Sequence, residues 1–162
     1  MKSSVRLREV IDSDLPVFFE QQLDAEAVHM AAFATRGREA FFAHWSKIRA
    51  DETTVLKTIV LDGQVAGNIV SWEPSERREI GYWLGKEFWG KGIATAALAQ
   101  FLQHLTARPL YAHVAAHNVA SIKVLQKCGF TVSSRGSVSE ARGEAPAEVI
   151  LILARTDGTE EP

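Results

Sequence analysis

Residues 79–105 read EIGYWLGKEFWGKGIATAALAQFLQHL, and the fold turns on how this stretch is taken. Glu79 to Leu84 has the composition of a strand. Period-two alternation puts Glu79, Gly81 and Trp83 on one face of it. From Ile93 the spacing changes, and Ala94, Leu98, Phe101, Leu102 and Leu105 make one apolar helical stripe. The helical region is predicted over Ile93–Arg108. Gly85, Gly90, Lys91 and Gly92 stand between strand and helix. Helix N-termini usually recruit Asp or Glu, because free N–H groups and the dipole favour negative charge there. This helix carries no carboxylate, although the chain has 20 acidic residues. A glycine-bearing turn from a strand into a helix is a common way to hold phosphate, and a carboxylate in the first turn would repel that ligand.

Working outward, Pro109 ends the helical region and LYAHVAA (110–116) reads as the next strand. Strand, helix and strand at this spacing form a βαβ unit, so the strands around Tyr82 and Ala112 should run parallel. NVASIKVLQKCG (118–129) reads as a helix with Asn118 as N-cap and Gly129 as stop. FTVSSRG (130–136) and AEVILILAR (147–155) should close the sheet as an antiparallel pair around the polar loop SVSEARGEAP (137–146). Upstream, VRLREV (5–10) alternates as a half-buried strand. A helix is expected over Leu15–Leu23, capped by Asp12 or Ser13, with Pro16 in its first turn. LDAEAVHMAAF (23–33) is ambiguous. REAFFAHWSKIRA (38–50) places Phe41, Trp45 and Ile48 at helical spacing. TTVLKTIVL and QVAGNIVSW flank Asp62-Gly63, a tight-turn signal, and form a hairpin. The sum is a mixed α/β sheet of about seven strands.

The 162 residues imply one domain, taken as residues 1–155, with 156–162 as a frayed tail. A composition of 46% hydrophobic and 23% charged residues is that of an ordinary globular protein. Eighteen basic against 20 acidic residues, a net charge of −2, argue against nucleic-acid binding driven by bulk charge. The single cysteine, Cys128, excludes an intrachain disulfide and fits a reducing compartment. MKSSVRLREV lacks an apolar signal core and no run approaches a membrane span, so a cytoplasmic protein is expected.

Three phosphate-binding templates compete for the glycine loop. The dinucleotide fingerprint G-x-G-x-x-G is half met, since Gly90 and Gly92 fit but Thr95 holds the third place. The P-loop pattern finds Gly85, Gly90 and Lys91, but Gly92 replaces the hydroxyl residue that would bind Mg²⁺. Phe88 and Trp89 are also bulky for a loop that wraps a triphosphate. The third template fits along more of the chain. REIGYWLGKEFWGKGIATAALAQFL, followed by NVASIKVLQKCGF, resembles the GNAT superfamily of acyl-CoA-dependent N-acyltransferases. It is most similar to the branch that includes the ribosomal-protein alanine N-acetyltransferases. The family loop pattern Q/R-x-x-G-x-G/A reads here Trp89-Gly90-Lys91-Gly92-Ile93-Ala94, with Trp89 departing from Gln/Arg. The block Asn118 to Phe130 is the second signature, and the resemblance spans about Val5 to Ala154.

The resemblance implies a GNAT fold: a single, mostly antiparallel sheet with a central splayed parallel pair and helices on both faces. It implies acetyl-CoA as co-substrate, without a metal. The cofactor pyrophosphate would lie on the amides of Gly90, Lys91, Gly92, Ile93, Ala94 and Thr95, beside Trp89. The pantetheine arm would bond to the backbone of Trp83 and Leu84 and reach Asn118. Glu79 stands where many members carry a base, with Glu73 as its rival. The tyrosine that many relatives use as acid is replaced here by Leu125, and Ser121 is the available hydroxyl.

The histidines show no metal-ligand spacing with partners. His113 and His117 flank the turn into the second helix, and both read as structural. Cys128 reads as a buried, inert thiol. The expected function is acetyl transfer to a primary amine, whether a protein N-terminus, a polyamine or an amino sugar. Met30, Phe33, Phe41 and Trp45 are candidates to line the acceptor pocket. The expected partners are that acceptor, no nucleic acid and no membrane, with homodimerisation left open. The competing reading is a non-catalytic acyl-CoA-binding module or sensor; a P-loop-like nucleotide-binding protein is more remote.

Overall fold

A computed structural model of the chain describes residues 4–31, 36–74, 76–133 and 148–154. Its centre is a seven-stranded sheet in the order β1-β2-β3-β4-β5-β7-β6. The strands are β1 (Val5–Arg8), β2 (Val55–Leu61), β3 (Gln64–Trp72), β4 (Arg78–Leu84), β5 (Leu110–Ala115), β6 (Thr131–Val132) and β7 (Glu148–Leu153). The helices are α1 (Asp14–Gln21), α2 (Ala25–Ala31), α3 (Arg38–Ala50), α4 (Ile93–His104) and α5 (Val119–Lys127). The ambiguous stretch before Phe33 is therefore helical as far as Ala31. The loop at 137–146 and the tail at 156–162 lie outside the described residues.

All neighbouring strands are antiparallel except β4 and β5. That parallel pair is joined only at Arg78↔Leu110 and Glu79↔Tyr111. Beyond Glu79 the two strands part, and one of the cavities described below lies in the fork they leave. On the far side β4 is held firmly, with six paired positions along β3, from Gly67↔Leu84 to Trp72↔Glu79. Gly67 is required there: a Cβ would stand 2.1 Å from the Trp83 carbonyl oxygen, a backbone atom that cannot yield. Next to it the β2–β3 register slips, leaving Ala66 as the extra residue of a bulge, and its carbonyl accepts the Gly85 amide at 2.9 Å.

Two apolar layers cover the sheet. On one face Ile59, Ile69, Ile80 and Leu84 pack with Leu98 and Phe101 of α4, Leu125 of α5, and Phe130. On the other, Phe18 and Phe19 of α1 pack with Phe41 and Trp45 of α3. Each such side chain, fully buried, stabilises the fold by about 1.5–3 kcal/mol.

Two helix ends differ from the sequence expectation. Ser13, one of the two expected caps, stands at the N-cap of α1 but its side chain makes no cap bond; the carboxylate of Asp14 accepts from the Ile11 amide at 2.9 Å. Helix α4 stops at His104 rather than Arg108. The Arg108 guanidinium turns back and donates to the Leu105 carbonyl at 2.8 Å and to that of Leu102 at 3.5 Å, which satisfies acceptors at the helix end.

Candidate active site

The loop after β4 is built to aim amides outward. A short 3₁₀ turn, Lys86–Phe88, buries Phe88 in the core, and the Trp89 indole donates to the Leu84 carbonyl at 3.0 Å. Gly90 and Gly92 then take left-handed backbone angles, with φ of 73° and 76°. A side chain would find open space at either glycine, so the backbone angle is what selects glycine there. Gly92 caps α4 without any side-chain bond, and no acidic residue stands in the first turn. Among the described residues, no backbone carbonyl accepts from the amides of Gly90 through Thr95. The result is an uncapped, acid-free helix end with several free donors.

A cleft of about 190 Å³ opens beside this end. Trp83 and Leu84 of β4, Trp89, Gly90 and Ala94 of the loop and α4, and Asn118 and Ser121 of α5 all border it. Those seven were singled out from the sequence, and the fold brings them together. Lys91, Gly92, Ile93 and Thr95 do not border it. Ile93 is buried in the core, Lys91 is exposed, and the Thr95 carbonyl faces the Cys128 thiol at 3.8 Å. Asn118 does what its position predicts: its side chain accepts the Ser121 amide at 3.2 Å.

A second cavity, about 110 Å³, fills the fork between β4 and β5. A third, about 690 Å³, lies on the sheet face covered by α1 and α3. Tyr82 borders all three cavities. Its phenol is 2.9 Å from the Ser121 hydroxyl. Burial pushes the Tyr82 phenol above its ordinary pKa, and the bond to Ser121 opposes this only in part. The group is therefore a neutral O–H at working pH. Sequence reasoning missed Tyr82. The signal was a phenol on the face of β4 that also carries the buried Ile80 and Leu84, where a polar tip needs a partner.

Glu79 occupies the last paired position before the strands part. Its carboxylate lies 3.3 Å from His113 Nε2, and His113 Nδ1 lies 3.3 Å from Glu148. Glu79 borders none of the three cavities, whereas Glu73 borders the largest and lies 3.6 Å from the Arg78 guanidinium. Phe41 and Trp45 border that largest cavity too; Met30 borders the cleft at the α4 end instead, and Phe33 lies outside the described residues. His117 Nε2 sits 2.8 Å from the His29 carbonyl. Burial raises the pKa of the Cys128 thiol, which keeps it protonated and unreactive. Among the described residues no His/Cys/Asp/Glu group is arranged to hold a metal, and no helix is long and apolar enough to cross a membrane.

Residues 4–131 match the family described as the acetyltransferase (GNAT) domain. Over 70 residues the chain is 34% identical to a Bacillus subtilis (strain 168) protein named "Putative ribosomal N-acetyltransferase YdaF". That match spans 41% of this chain and 38% of the relative, well under half of its length. Two solved structures are similar along most of the chain. One is RimL, a ribosomal L7/L12 alpha-N-protein acetyltransferase in complex with coenzyme A, with a TM-score of 0.78 and 18% identity over 93% of this chain and 94% of that one. The other is the spermidine N-acetyltransferase from Vibrio cholerae in complex with CoA and spermine, with a TM-score of 0.77 and 16% identity over 91% and 93%. At these identities the likeness is one of fold.

Proposed function

The chain belongs to the GNAT acetyltransferase family, and on that premise we propose that it moves an acetyl group from acetyl-CoA to a primary amine by direct attack in a ternary complex. The observation that carries this reading is the acid-free end of α4 opening on a cleft that runs along β4 to the fork. Free amides at a helix N-terminus suit a pyrophosphate. The unpaired edge of β4 beyond Glu79 offers peptide groups to an amide-bearing arm. CoA in the RimL and spermidine acetyltransferase structures, and the YdaF likeness, support the same cofactor and the ribosomal branch.

In the reaction the amine nitrogen bonds to the thioester carbon, the C–S bond breaks and CoA leaves as its thiol. The amine must shed a proton and the thiolate must gain one. We assign the first task to Glu79, which stands at the fork on the strand face shared with Gly81 and Trp83. The second task falls to Tyr82, whose neutral phenol lies beside Ser121 where both residues border the cofactor cleft; Ser121 holds its hydroxyl in place. Tyr82 thus takes the role that Leu125 cannot fill.

Thiol release from acetyl-CoA, followed over a panel of primary amines, tests the proposal. Release with at least one amine is expected. Tight CoA binding without release from any would favour the non-catalytic module.

A further inference from the structure

We propose that His113 is a positioning residue for the base: held from its far side by Glu148, its ring sets the Glu79 carboxylate at the fork and passes on the proton that this carboxylate takes from the amine. The inference rests on the acetyl-transfer reading and on Glu79 as the base, and it deepens both. Its site is a row of three side chains across β4, β5 and β7.

The register builds the row. Glu79 pairs with Tyr111, and His113 stands two residues further along β5, on the same face. His113 pairs with Ile150 of β7, and Glu148 stands two residues from Ile150, again on that face. Side chains so placed on adjacent strands are within reach of each other, and both contacts form. Nε2 of His113 lies 3.3 Å from Glu79, and Nδ1 lies 3.3 Å from Glu148. A ring that donates from Nδ1 to Glu148 turns an acceptor nitrogen towards Glu79. That is the form that can take a proton from the carboxyl group. Glu79 borders none of the three cavities, whereas His113 borders the one in the fork. The ring therefore ties the carboxylate to the place where β4 and β5 part. The arginines that precede Glu79 are committed elsewhere. Arg77 lies over the Tyr111 ring at 3.9 Å, and Arg78 donates to the Ser71 hydroxyl and the Thr53 carbonyl and lies 3.6 Å from Glu73. Side-chain exposure rises along the row, from 18% at Glu79 to 32% at His113 and 44% at Glu148, so a proton that moves along it moves towards water. In the step itself the amine's proton bonds to a Glu79 oxygen as the nitrogen bonds to the thioester carbon. The carboxyl O–H then breaks and its proton bonds to Nε2. The imidazolium loses one proton to water, which restores the carboxylate and the neutral ring for the next turnover.

The test follows thiol release from acetyl-CoA, with the panel amine that wild type acetylates fastest, in His113→Ala, Glu79→Gln and the double variant. His113→Ala should lower kcat at least about tenfold and leave KM for acetyl-CoA unchanged. His113 is partly exposed, so its removal does not hollow the core. Imidazole added to the assay should raise kcat of His113→Ala at least about threefold and do nothing for Glu79→Gln. The double variant should fall within about twofold of Glu79→Gln alone, because the ring acts only through the carboxylate. If His113→Ala does not fold, His113→Asn, which keeps an N–H for Glu148, is read in the same way. An unchanged kcat in the folded variant, a loss that imidazole does not relieve, or a loss that adds in full to that of Glu79→Gln would overturn the inference and leave acetyl transfer standing. Full activity in Glu79→Gln would remove the base assignment, and this inference with it. No release with any amine would remove the acetyl-transfer reading itself.

Discussion

Tyr82 and Glu79 stand three residues apart on β4 and, on this account, handle the two protons of one reaction. Tyr82→Phe removes the hydroxyl without changing the packing. It should lower kcat by about 10²-fold or more, the usual span for a lost general acid, with CoA affinity unchanged by calorimetry. An unaltered kcat would leave Tyr82 as a packing residue with a satisfied hydroxyl. Glu79→Gln should lower turnover by about 10² or more. Equal activity in that variant would move the base to Glu73, which borders the largest of the three cavities. The candidate carboxylates were legible in the sequence because strand alternation fixes their faces. The phenol was not. The sequence pointed to α5, where Leu125 stands in the family tyrosine's place and Ser121 is the available hydroxyl, while the acid proposed here stands on β4, its phenol 2.9 Å from that hydroxyl. Which wall donates a group is a matter of how two elements face each other, and spacing within one element does not carry it.

At the scale of elements, Asp14 ties three of them together. It accepts from Arg8 of β1 at 2.8 and 3.0 Å, from the Ile11 amide, and from Thr58 of β2 at 2.7 Å. Burial alone pushes this carboxyl up, but the bonds from Arg8, Ile11 and Thr58 outweigh it, and the net pKa lies below the ordinary value. A depressed folded pKa gives stability that is present above the unfolded value and lost as pH falls through the folded one. Asp14→Asn should therefore cost about 2 kcal/mol at neutral pH. The gap from wild type should narrow in melts run below about pH 4. A constant gap down to pH 2 would show that shape rather than charge sets the effect. Helix and strand identities were largely legible from periodicity, turn and cap residues. The ends of α1 and α4 were not, because Asp14 and Arg108 replace the local caps with bonds that depend on neighbouring elements. The βαβ spacing predicted the parallel pair; that the pair is joined at only two positions is a property of the assembled sheet.

Among the helices of the described residues, α4 alone begins with neither a side-chain cap bond nor an acid in its first turn, and the account holds that the ligand finishes that end. Anything that binds the folded state alone raises its stability by mass action. CoA should accordingly raise the melting temperature, and ATP with Mg²⁺ should do much less; the reverse order would restore the P-loop reading. The most direct test is calorimetric titration of CoA into wild type and Ala94→Glu, with melting curves of both without ligand. Ala94 borders the cleft in the first turn of α4. A carboxylate there would face the free amides, a favourable placement worth about 0.3–1 kcal/mol in the ligand-free protein. Against the pyrophosphate the same group should repel. The account predicts CoA binding weaker by at least about tenfold, or 1.4 kcal/mol, in a protein that melts no lower than wild type by more than the local packing change. Unchanged CoA affinity in the folded variant would contradict it and place the phosphates elsewhere.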